Sequence, residues 1–417
     1  MSTIGIIAEY NPFHLGHKYH LKLSKKITNS RYSIAVISGS FVQRGEPSLI
    51  DKWTKARMAI DNGIDLVIEL PFIFSVQSAE LFAYGGISLL NSLKIVDYVS
   101  FGSEIGELKD LYPIAHILVE EPPIYNQLLK KHLQRGESFP VARSRALEEY
   151  FTKYNKNHYN LDINKIIKSP NNILAIEYLK ALKKLNSNIK PVTIKRFGSQ
   201  YNDVELNNKI ASATAIRKKI LEENELSSVK DYLPQETYDN LESYINQYHF
   251  FNSLDNYNQI IHYLLRIEGN EKLSRIMDVE AGLDNRIVEK SGEFNDIESF
   301  VSSIVTKRYP RSRIQRILVH LMMNLYKENF IDLYLHHPAY IRVLGSNKKG
   351  FYLINKIKKK TDIPIIIKFS DHHNLKNPNI DRIISFDKKS TDLFFLGLNT
   401  RKPLTNMDYY TSPYMKK

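Results

Sequence analysis

The chain has 417 residues, which is enough for two or three domains of ~150 residues each. It contains no cysteine, and this excludes disulfide scaffolds, thiolate zinc sites, iron–sulfur clusters and a cysteine nucleophile. Lys and Arg total 58 against 45 Asp and Glu, so the formal net charge is +13. Such an excess has two explanations, a polyanionic partner or a generally Lys-rich proteome. The first residues lack the basic segment of a signal peptide, and no stretch reaches the ~18 uncharged apolar residues of a membrane span, so we expect a cytoplasmic protein without a membrane partner.

The first hundred residues alternate between short apolar runs and helical patterns. The apolar runs predict strands at residues 4–8, 32–37, 65–70 and 97–101. The helical patterns predict helices at residues 14–27, 51–61 and 75–90. On the first of these helices, we expect Leu15, Tyr19, Leu23 and Ile27 to form the apolar face. Strands and helices on this spacing form right-handed βαβ units and therefore a parallel sheet.

The remaining residues are mostly helical, with fewer strands. From residue 106 to about residue 185 the pattern is helical, and a strand at residues 190–196 and a helix at residues 210–221 follow. We place a domain boundary near residue 230, which gives regions 1–230 and 231–417. The second region is polar and helical and ends in a small α/β lobe, with strands expected at residues 339–344, 363–369 and 383–386 and a helix at residues 350–360. The expected fold class is α/β, a Rossmann-like core with a parallel sheet plus this mainly helical C-terminal region.

The most informative segment is the first strand–helix junction, residues 8–18, which reads Ala-Glu-Tyr-Asn-Pro-Phe-His-Leu-Gly-His-Lys. In an open parallel sheet, ligands bind at the carboxyl ends of strands, beside helix N-termini whose free N–H groups attract phosphate. His14 and His17 share one helical face and can donate hydrogen bonds to phosphate oxygens, and Lys18 adds a cation. Gly16 has no Cβ, so a base or ribose can lie against its backbone. An isolated pair of this kind is more often a pair of surface histidines, but the preceding strand and turn favour a nucleotide site.

A second element, residues 210–217, reads Ile-Ala-Ser-Ala-Thr-Ala-Ile-Arg. Small hydroxyl residues such as Ser212 and Thr214 at a helix start either cap its N–H groups or bind phosphate there. Arg217 lies one turn after Thr214 and can reach the same phosphates. The alternative is an ordinary helix cap that is followed by an exposed arginine.

Two loops lie at the same predicted edge of the sheet. In the loop after the second strand, Gln43 and Arg44 are candidates to hold a carboxylate or phosphate, and an ordinary solvated loop is the alternative. After the fourth strand, the backbone of Gly102 can approach an adenine, or the segment is a plain strand-to-helix turn.

The junction and the second element resemble the His-x-Gly-His and Ser-Ser-Thr-x-Ile-Arg motifs of the nucleotidyltransferase superfamily, with Ala213 in place of the middle serine. Members of that superfamily act at the α-phosphate of a nucleotide. The dinucleotide motif G-x-G-x-x-G and the P-loop motif are absent. A longer set of segments resembles the bacterial tRNA(Met) cytidine acetate ligase family across essentially the whole chain, and these segments are residues 7–17, 39–47, 170–174, 212–217 and 306–316.

The resemblance implies a ligase that works in two steps. Acetate attacks the α-phosphate of ATP to give acetyl-adenylate and pyrophosphate, and the wobble cytidine of elongator tRNA(Met) then takes the acetyl group to give N(4)-acetylcytidine and AMP. It also implies nucleotide contacts at Ile7, Ala8, Glu9, Tyr10, Asn11, Pro12, Phe13, His14, Leu15, Gly16, His17, Lys18, Tyr19, His20, Gly102, Arg196 and one of Asn171 and Asn172. ATP usually arrives with Mg²⁺, but the sequence has no carboxylate cluster with metal spacing, so we expect the phosphates and water to hold any such ion.

A basic segment in the second region is the candidate RNA surface. Residues 307–316 contain five basic residues and no acidic one, and the basic residues are Lys307, Arg308, Arg311, Arg313 and Arg316. Clustered Arg and Lys bind a phosphate backbone, which favours RNA contact here. Arg342, at the end of a predicted strand, is a further candidate. The lysines between residues 348 and 360 are more typical of a solvated helix end.

Two other functions compete with the ligase. One is a nucleotidyltransferase that makes a small-molecule cofactor and carries an appended regulatory domain, and the other is a non-catalytic RNA-binding protein. The length and the basic second region favour the ligase over the first, and the intact His14, His17, Thr214 and Arg217 disfavour the second. Residue chemistry alone indicates reaction at the α-phosphate of a nucleotide with a polyanionic partner, and acetate, cytidine and the particular tRNA come from the resemblance.

Overall fold

A computed structural model of the chain describes residues 1–154, 162–196, 211–223, 225–398, 400 and 403–417. Its strands are β1 (Ser2–Ala8), β2 (Ser30–Ser38), β3 (Phe41–Val42), β4 (Glu46–Pro47), β5 (Leu66–Leu70), β6 (Tyr98–Ser103), β7 (Lys190–Lys195), β8 (Ile341–Ser346), β9 (Ile365–Ile366) and β10 (Tyr414–Met415).

Helices pack on both sides of the sheet that most of these strands form. They are α1 (Leu15–Thr28), α2 (Lys52–Asp61), α3 (Phe72–Ser75), α4 (Ala79–Ser92), α5 (Leu108–Glu120), α6 (Pro123–Gln134), α7 (Phe139–Tyr154), α8 (Ile163–Lys168), α9 (Pro170–Lys184), α10 (Ala213–Glu223), α11 (Gln235–Tyr248), α12 (Asn258–Arg275), α13 (Leu283–Ser291), α14 (Ile297–Ile304), α15 (Arg311–Met323), α16 (Lys327–Leu335), α17 (Lys348–Lys358), α18 (Pro378–Leu396) and α19 (Met407–Tyr410). Short 3₁₀ helices lie at Leu226–Tyr232, Leu254–Tyr257 and Phe369–Leu375.

The strand order of the main sheet is β10-β8-β5-β2-β1-β6-β7, with β9 paired to β8. The five strands β5, β2, β1, β6 and β7 are parallel to one another, as the βαβ pattern predicts. Strand β8 runs antiparallel to β5, with Val67 opposite Gly345, and β10 extends the sheet beyond it. The predicted Rossmann-like parallel core is therefore confirmed, and the strands of the expected C-terminal lobe join that core as an extension of its sheet.

The central strands are largely buried because helices cover both faces of the sheet, and the middle of β1 and of β2 is apolar. In β2, the consecutive residues Ile34, Ala35, Val36 and Ile37 are all fully buried. Helix α4 approaches β1 closely, since a Cβ on Gly86 would lie 2.6 Å from the Cδ1 atom of Ile7. This burial holds β1 rigidly and so fixes the position at which the chain enters α1.

Two sequence predictions about these elements are wrong. The buried residues of α1 are Leu21, Ser24 and Thr28, whereas Ile27 is 56% exposed. The helix docks through Leu21 and through polar contacts, among them a 2.7 Å hydrogen bond between the Oγ atoms of Ser24 and Ser100, so the predicted apolar face is not the buried side. Residues 383–386, predicted as a strand, lie within α18, because a short apolar run suits a buried helix as well as a strand.

The boundary near residue 230 stays a prediction. In the part of the chain that the structure describes, no helix is both long and apolar enough to cross a membrane.

Candidate nucleotide site

The turn between β1 and α1 is fixed by hydrogen bonds to a distant loop. The Oδ1 atom of Asn11 accepts hydrogen bonds from the backbone N–H of Leu49 at 2.8 Å and from the hydroxyl of Ser48 at 3.2 Å. Asn11 is 1% exposed, and Tyr10 before it adopts a φ of 48°. These contacts determine where the next residues, which include both predicted catalytic histidines, lie at the carboxyl edge of the sheet.

His14 and His17 stack on each other at the start of α1. Their ring centroids are 3.7 Å apart with an interplanar angle of 27°. The Nδ1 atom of His17 accepts a hydrogen bond from the backbone N–H of His14 at 3.2 Å, so the neutral His17 ring carries its proton on Nε2. The Nδ1 atom of His14 is buried and has no hydrogen-bond partner among the described residues. Both rings therefore retain a polar atom for a ligand.

Burial keeps these histidines neutral. Burial and the nearby charge of Arg196 lower the pKa of His14 to about 3 and that of His20 to about 4. Burial, followed by the charges of His14, Arg196 and His20, also places the pKa of His17 well below its ordinary value. At neutral pH each ring is an uncharged imidazole that donates one N–H, and Arg196 supplies the positive charge for an anionic ligand.

Arg196 lies over Gly102 of β6, which leaves room for its side chain, and its charge acts on the histidines. A Cβ on Gly102 would lie 2.9 Å from the Cγ atom of Arg196. The backbone N–H of Arg196 donates to the carbonyl of Ser103 at 2.9 Å, which extends the pairing of β7 with β6. The glycine therefore accommodates an arginine side chain, and its expected approach to adenine stays a prediction.

Asn171 and Asn172, at the start of α9, have different surroundings. The Oδ1 atom of the buried Asn172 accepts hydrogen bonds from the backbone N–H groups of Glu104 and Ile105, at 2.9 and 3.2 Å. Asn171 donates to the Glu104 carboxylate at 2.7 Å and accepts from the guanidinium of Arg196 at 3.1 Å. Asn172 thus holds the loop after β6, and Asn171 is the asparagine that is linked to the histidine cluster through Arg196.

Helix α10 brings the second predicted element to the same edge. Ser212 caps the helix by accepting a hydrogen bond from the N–H of Ala215 at 3.1 Å, and Thr214 is exposed. Arg217 donates through Nη1 to the carbonyl of Asn11 at 3.0 Å and lies 3.2 Å from the Glu46 carboxylate. The two motifs are therefore in contact. Residue 210, the first of that predicted element, lies outside the described residues.

Three other candidate residues near this edge, Lys18, Gln43 and Arg44, differ in their surroundings. Lys18 forms a partly exposed ion pair with Glu236 at 3.2 Å. The backbone N–H of Gln43 donates to the Glu9 carboxylate at 2.9 Å, and its side chain donates to the carbonyl of Gln77 at 2.7 Å, so Gln43 braces the loop against the motif. Arg44 is exposed beside it.

The basic segment 307–316 divides into exposed and inward-facing residues. Lys307 is exposed, Arg308 pairs with Glu280, and Arg311 pairs with Glu298. Arg313 donates to the carbonyl of Asp278 and to Glu280. Arg316 is 7% exposed and its Nε donates to the Asp278 carboxylate at 2.6 Å. This position does not suit the expected RNA contact of Arg316, because the guanidinium is committed to an internal carboxylate.

Arg342 also faces inward. It is 3% exposed and lies 3.2 Å from the Glu69 carboxylate and 2.7 Å from that of Asp408. The fully buried Lys52 pairs with the same two carboxylates, at 2.8 Å each. Arg342 therefore belongs to a buried charge cluster that joins β8 to β5, and it does not present its side chain to RNA.

Two functional candidates were missed by sequence reasoning, Glu46 and Glu104. Each accepts hydrogen bonds from residues that the sequence did single out, Arg217 and Asn171 respectively. A signal was present, since Glu104 directly follows β6 and Glu46 lies in the hairpin that follows β2. Only the fold shows which cation or amide each one meets.

The chain matches over residues 1–407 the family model described as HIGH Nucleotidyl Transferase. The class of protein that the fold and the histidine motif define is thus a nucleotidyl transferase. A tRNA(Met) cytidine acetate ligase of Thermoanaerobacter sp. (strain X514) is 46% identical over 398 residues, covering 95% of this chain and 96% of the relative. One of Clostridium perfringens (strain SM101 / Type A) is 43% identical over 418 residues, with 99% of each covered.

A solved structure agrees with these relatives. The crystal structure of Thermotoga maritima TmcAL bound with alpha-thio ATP has a TM-score of 0.92 to this chain at 31% identity, and the match covers 100% of both chains. The apo form of the same protein gives 0.93 at 32% identity. The chain belongs to the family of the tRNA(Met) cytidine acetate ligases, as the sequence motifs predict.

Proposed function

We propose that this protein is an ATP-dependent ligase that activates acetate and transfers the acetyl group to the wobble cytidine of elongator tRNA(Met). The observation that carries the proposal is the convergence of His14, His17, Arg196 and Arg217 on the carboxyl edge of a nucleotidyltransferase-type sheet. Cations and N–H donors at this edge suit a triphosphate. The choice of acetate and of this tRNA as substrates comes from the full-length similarity to tRNA(Met) cytidine acetate ligases.

The first step forms acetyl-adenylate. An acetate oxygen attacks the α-phosphorus of ATP, and the bond from that phosphorus to the bridging oxygen of pyrophosphate breaks. Negative charge builds on the phosphate oxygens, where the N–H groups of His14 and His17 and the guanidinium of Arg217 stabilise it. The reaction requires positioning and charge stabilisation, without a protein nucleophile.

The second step acetylates the RNA. The exocyclic amine of cytidine attacks the acetyl carbonyl, AMP leaves with the electrons of the acyl–oxygen bond, and the amine loses a proton. The product is N(4)-acetylcytidine. Since the chain has no cysteine, the acetyl group does not pass through a thioester on the protein.

ATP is the nucleotide substrate, and Mg²⁺ is the ion that usually accompanies its phosphates. Among the described residues, no three His, Asp or Glu side chains are arranged to hold a metal ion. This donor set fits an ion that is held mainly by phosphate oxygens and water, the arrangement that Mg²⁺ commonly adopts with nucleotides.

We propose that tRNA binds along the basic segment and so brings its wobble cytidine to the nucleotide site. Helix α15, which the segment leads into, contacts the β3–β4 hairpin at the carboxyl edge of the sheet. Lys307, Arg308 and Arg311 lie at or before its first turn and form the proposed surface, whereas Arg313 faces inward to Asp278 and Glu280. Lys348 and Lys349 lie elsewhere, because the backbone N–H of Asn347 binds the carbonyl of Asp65 at the amino end of β5. We place the reaction in the cytoplasm, with tRNA and acetate as the partners.

Labelled acetate, ATP and total tRNA test the proposal directly. Label should enter tRNA and appear in N(4)-acetylcytidine after nuclease digestion, and pyrophosphate exchange into ATP should depend on acetate. A transcript of elongator tRNA(Met) with uridine at the wobble position is the matched control and should remain unlabelled. Absence of label from tRNA, together with pyrophosphate exchange that does not depend on acetate, would overturn the ligase assignment. A nucleotidyl group retained on a small molecule would instead identify the competing nucleotidyltransferase.

A further inference from the structure

Arg217 is held from two sides by groups outside its own helix. One Nη atom donates to the carbonyl of Asn11 at 3.0 Å, and the other lies 3.2 Å from Oε2 of Glu46. The Arg217 side chain is 12% exposed and that of Glu46 is 30% exposed. The guanidinium is thus fixed between the turn that leads to His14 and the short hairpin β3–β4, with limited room to rotate.

The hairpin that carries Glu46 is itself fixed against α15. Gly45, at the hairpin turn, has a φ of 78°, and a Cβ there would lie 2.2 Å from the backbone nitrogen of Arg316. Only glycine satisfies both the positive φ and this close approach. The Nε2 atom of Gln315 lies 3.4 Å from Oε1 of Glu46 and donates to it. Both carboxylate oxygens of Glu46 therefore have partners, one on α10 and one on α15.

We propose that Glu46 is a positioning residue that holds Arg217 in the orientation required for acetyl-adenylate formation, and that it connects this arginine to α15, the helix whose first turns carry part of the basic segment. The inference rests on the proposed ligase reaction. Glu46 touches neither ATP nor acetate in this scheme, and it acts through Arg217 alone.

The chemistry of the pair explains why a carboxylate is used. A charge-assisted hydrogen bond is roughly twice as strong as a neutral one, so Glu46 fixes the guanidinium more firmly than an amide would. It also offsets part of the positive charge before the reaction and so weakens the attraction of Arg217 for ground-state ATP. Positioning of this kind raises the rate more than it tightens substrate binding, because the group is aimed at the charge that develops in the transition state.

A double-mutant cycle on acetate-dependent pyrophosphate exchange tests the inference. We expect Arg217→Gln to lower kcat/KM about a hundredfold, and Glu46→Gln to lower it about tenfold, through kcat, with the KM for ATP unchanged or reduced. In the Arg217→Gln background, Glu46→Gln should have no further effect, since the residue it positions is gone. A purely structural role of the hairpin predicts instead that the two losses multiply.

The control is Glu222→Gln on α10, which removes the same charge five residues from Arg217. Glu222 is exposed and pairs with Lys218 at 3.7 Å, and we expect it to leave kcat and KM unchanged. Melting temperatures of all variants show that they are folded. Multiplicative losses, or a rise in the KM for ATP in Glu46→Gln, would overturn the positioning role while wild-type exchange still supports the ligase. Wild-type enzyme without acetate-dependent exchange would instead overturn the proposed function.

Discussion

The Nη1 atom of Arg196 donates a hydrogen bond to Oδ1 of Asn171 at 3.1 Å. Through this contact, the start of α9 is connected to the arginine whose charge lowers the pKa values of the buried histidines. The Asn172 side chain points elsewhere and accepts from the backbone N–H groups of Glu104 and Ile105. Two adjacent asparagines therefore have separate roles, one in the electrostatics of the nucleotide site and one in the shape of a loop.

Replacing each asparagine by alanine should separate these roles. Asn171→Ala frees Arg196, and we expect the KM for ATP to rise about tenfold with little change in stability. Asn172→Ala leaves two backbone N–H groups without their acceptor and should lower the free energy of unfolding by about 2 kcal/mol. ATP-dependent exchange kinetics and urea unfolding measure the two effects. Equal changes in KM and equal losses of stability for the two variants would contradict the assignment.

His17 is the imidazole whose tautomer the structure fixes, since its Nδ1 accepts from the His14 backbone and its Nε2 carries the proton. His17→Ala removes that donor, and we expect the rate of acetyl-adenylate formation to fall about a hundredfold or more. Binding of tRNA should persist, because the basic segment is untouched. Pyrophosphate exchange and filter binding of tRNA measure the two properties, and an unchanged exchange rate would remove His17 from the mechanism.

The proposed RNA surface makes a prediction about salt. Lys307→Ala combined with Arg311→Ala removes one exposed cation and one partly exposed cation that pairs with Glu298. We expect weaker tRNA binding whose dependence on salt concentration is reduced by roughly one to two ion equivalents. Lys348→Ala with Lys349→Ala is the matched control at the other edge of the sheet and should leave the slope unchanged. A reversed result, with the slope reduced only in the control, would move the RNA surface to α17.

The sequence predicts the parts of the site that depend on local chemistry. The strand, turn and helix start around His14 and His17, and the capped helix start at Ser212, are encoded by neighbouring residues, and the structure has them as expected. The relation of Arg217 to Glu46 spans 171 positions along the chain and becomes visible only when the fold brings them together.

Basic residues in the sequence predict an RNA surface less well, because the carboxylate that pairs with a basic side chain decides whether that side chain faces solvent. Arg316 and Arg342 read as basic surface residues, yet each is committed to carboxylates that lie far away in sequence, Asp278 and Asp408 among them. Similarly, the predicted apolar face of α1 misleads because the helix buries Ser24 and Thr28, whose hydroxyl groups form hydrogen bonds with Ser100 and Ser30. Internal polar contacts of this kind have no periodic signature that a sequence pattern can reveal.

Buried neutral histidines should make the protein sensitive to mild acid. Burial lowers the pKa of His337 and of His20 to about 4, whereas an unfolded chain binds these protons near pH 6.5. The unfolded state then holds more protons, so the free energy of unfolding should fall as pH drops from 6.5 towards 4, by about 1 kcal/mol per pH unit for each such histidine. Urea unfolding at pH 7.5, 6.5, 5.5 and 4.5 measures this slope.

One variant checks the histidine origin of the acid sensitivity. His337→Gln keeps a donor for the carbonyl of Gly85, which the His337 ring meets at 3.0 Å, but it does not titrate. Below pH 6.5, we expect the free energy of unfolding of this variant to fall less steeply with pH, by the contribution of one histidine. His336→Gln, at the exposed neighbouring position, is the control for the His-to-Gln substitution itself. Equal slopes in all three proteins would assign the acid sensitivity to other groups.

The buried charge cluster predicts a large structural role for the C-terminal segment. Lys52 and Arg342 are balanced by Glu69 and Asp408, and Asp408 comes from α19, close to the end of the chain. Asp408→Asn removes one of the two carboxylates that form ion pairs with Lys52 and Arg342, and a buried cation that loses its partner costs about 3–5 kcal/mol of unfolding free energy. Asp381→Asn, an exposed acidic residue of α18, should cost less than about 0.5 kcal/mol. A similar small loss for both variants would show that the cluster is open to water, because only a desolvated cation makes the removal of its partner expensive.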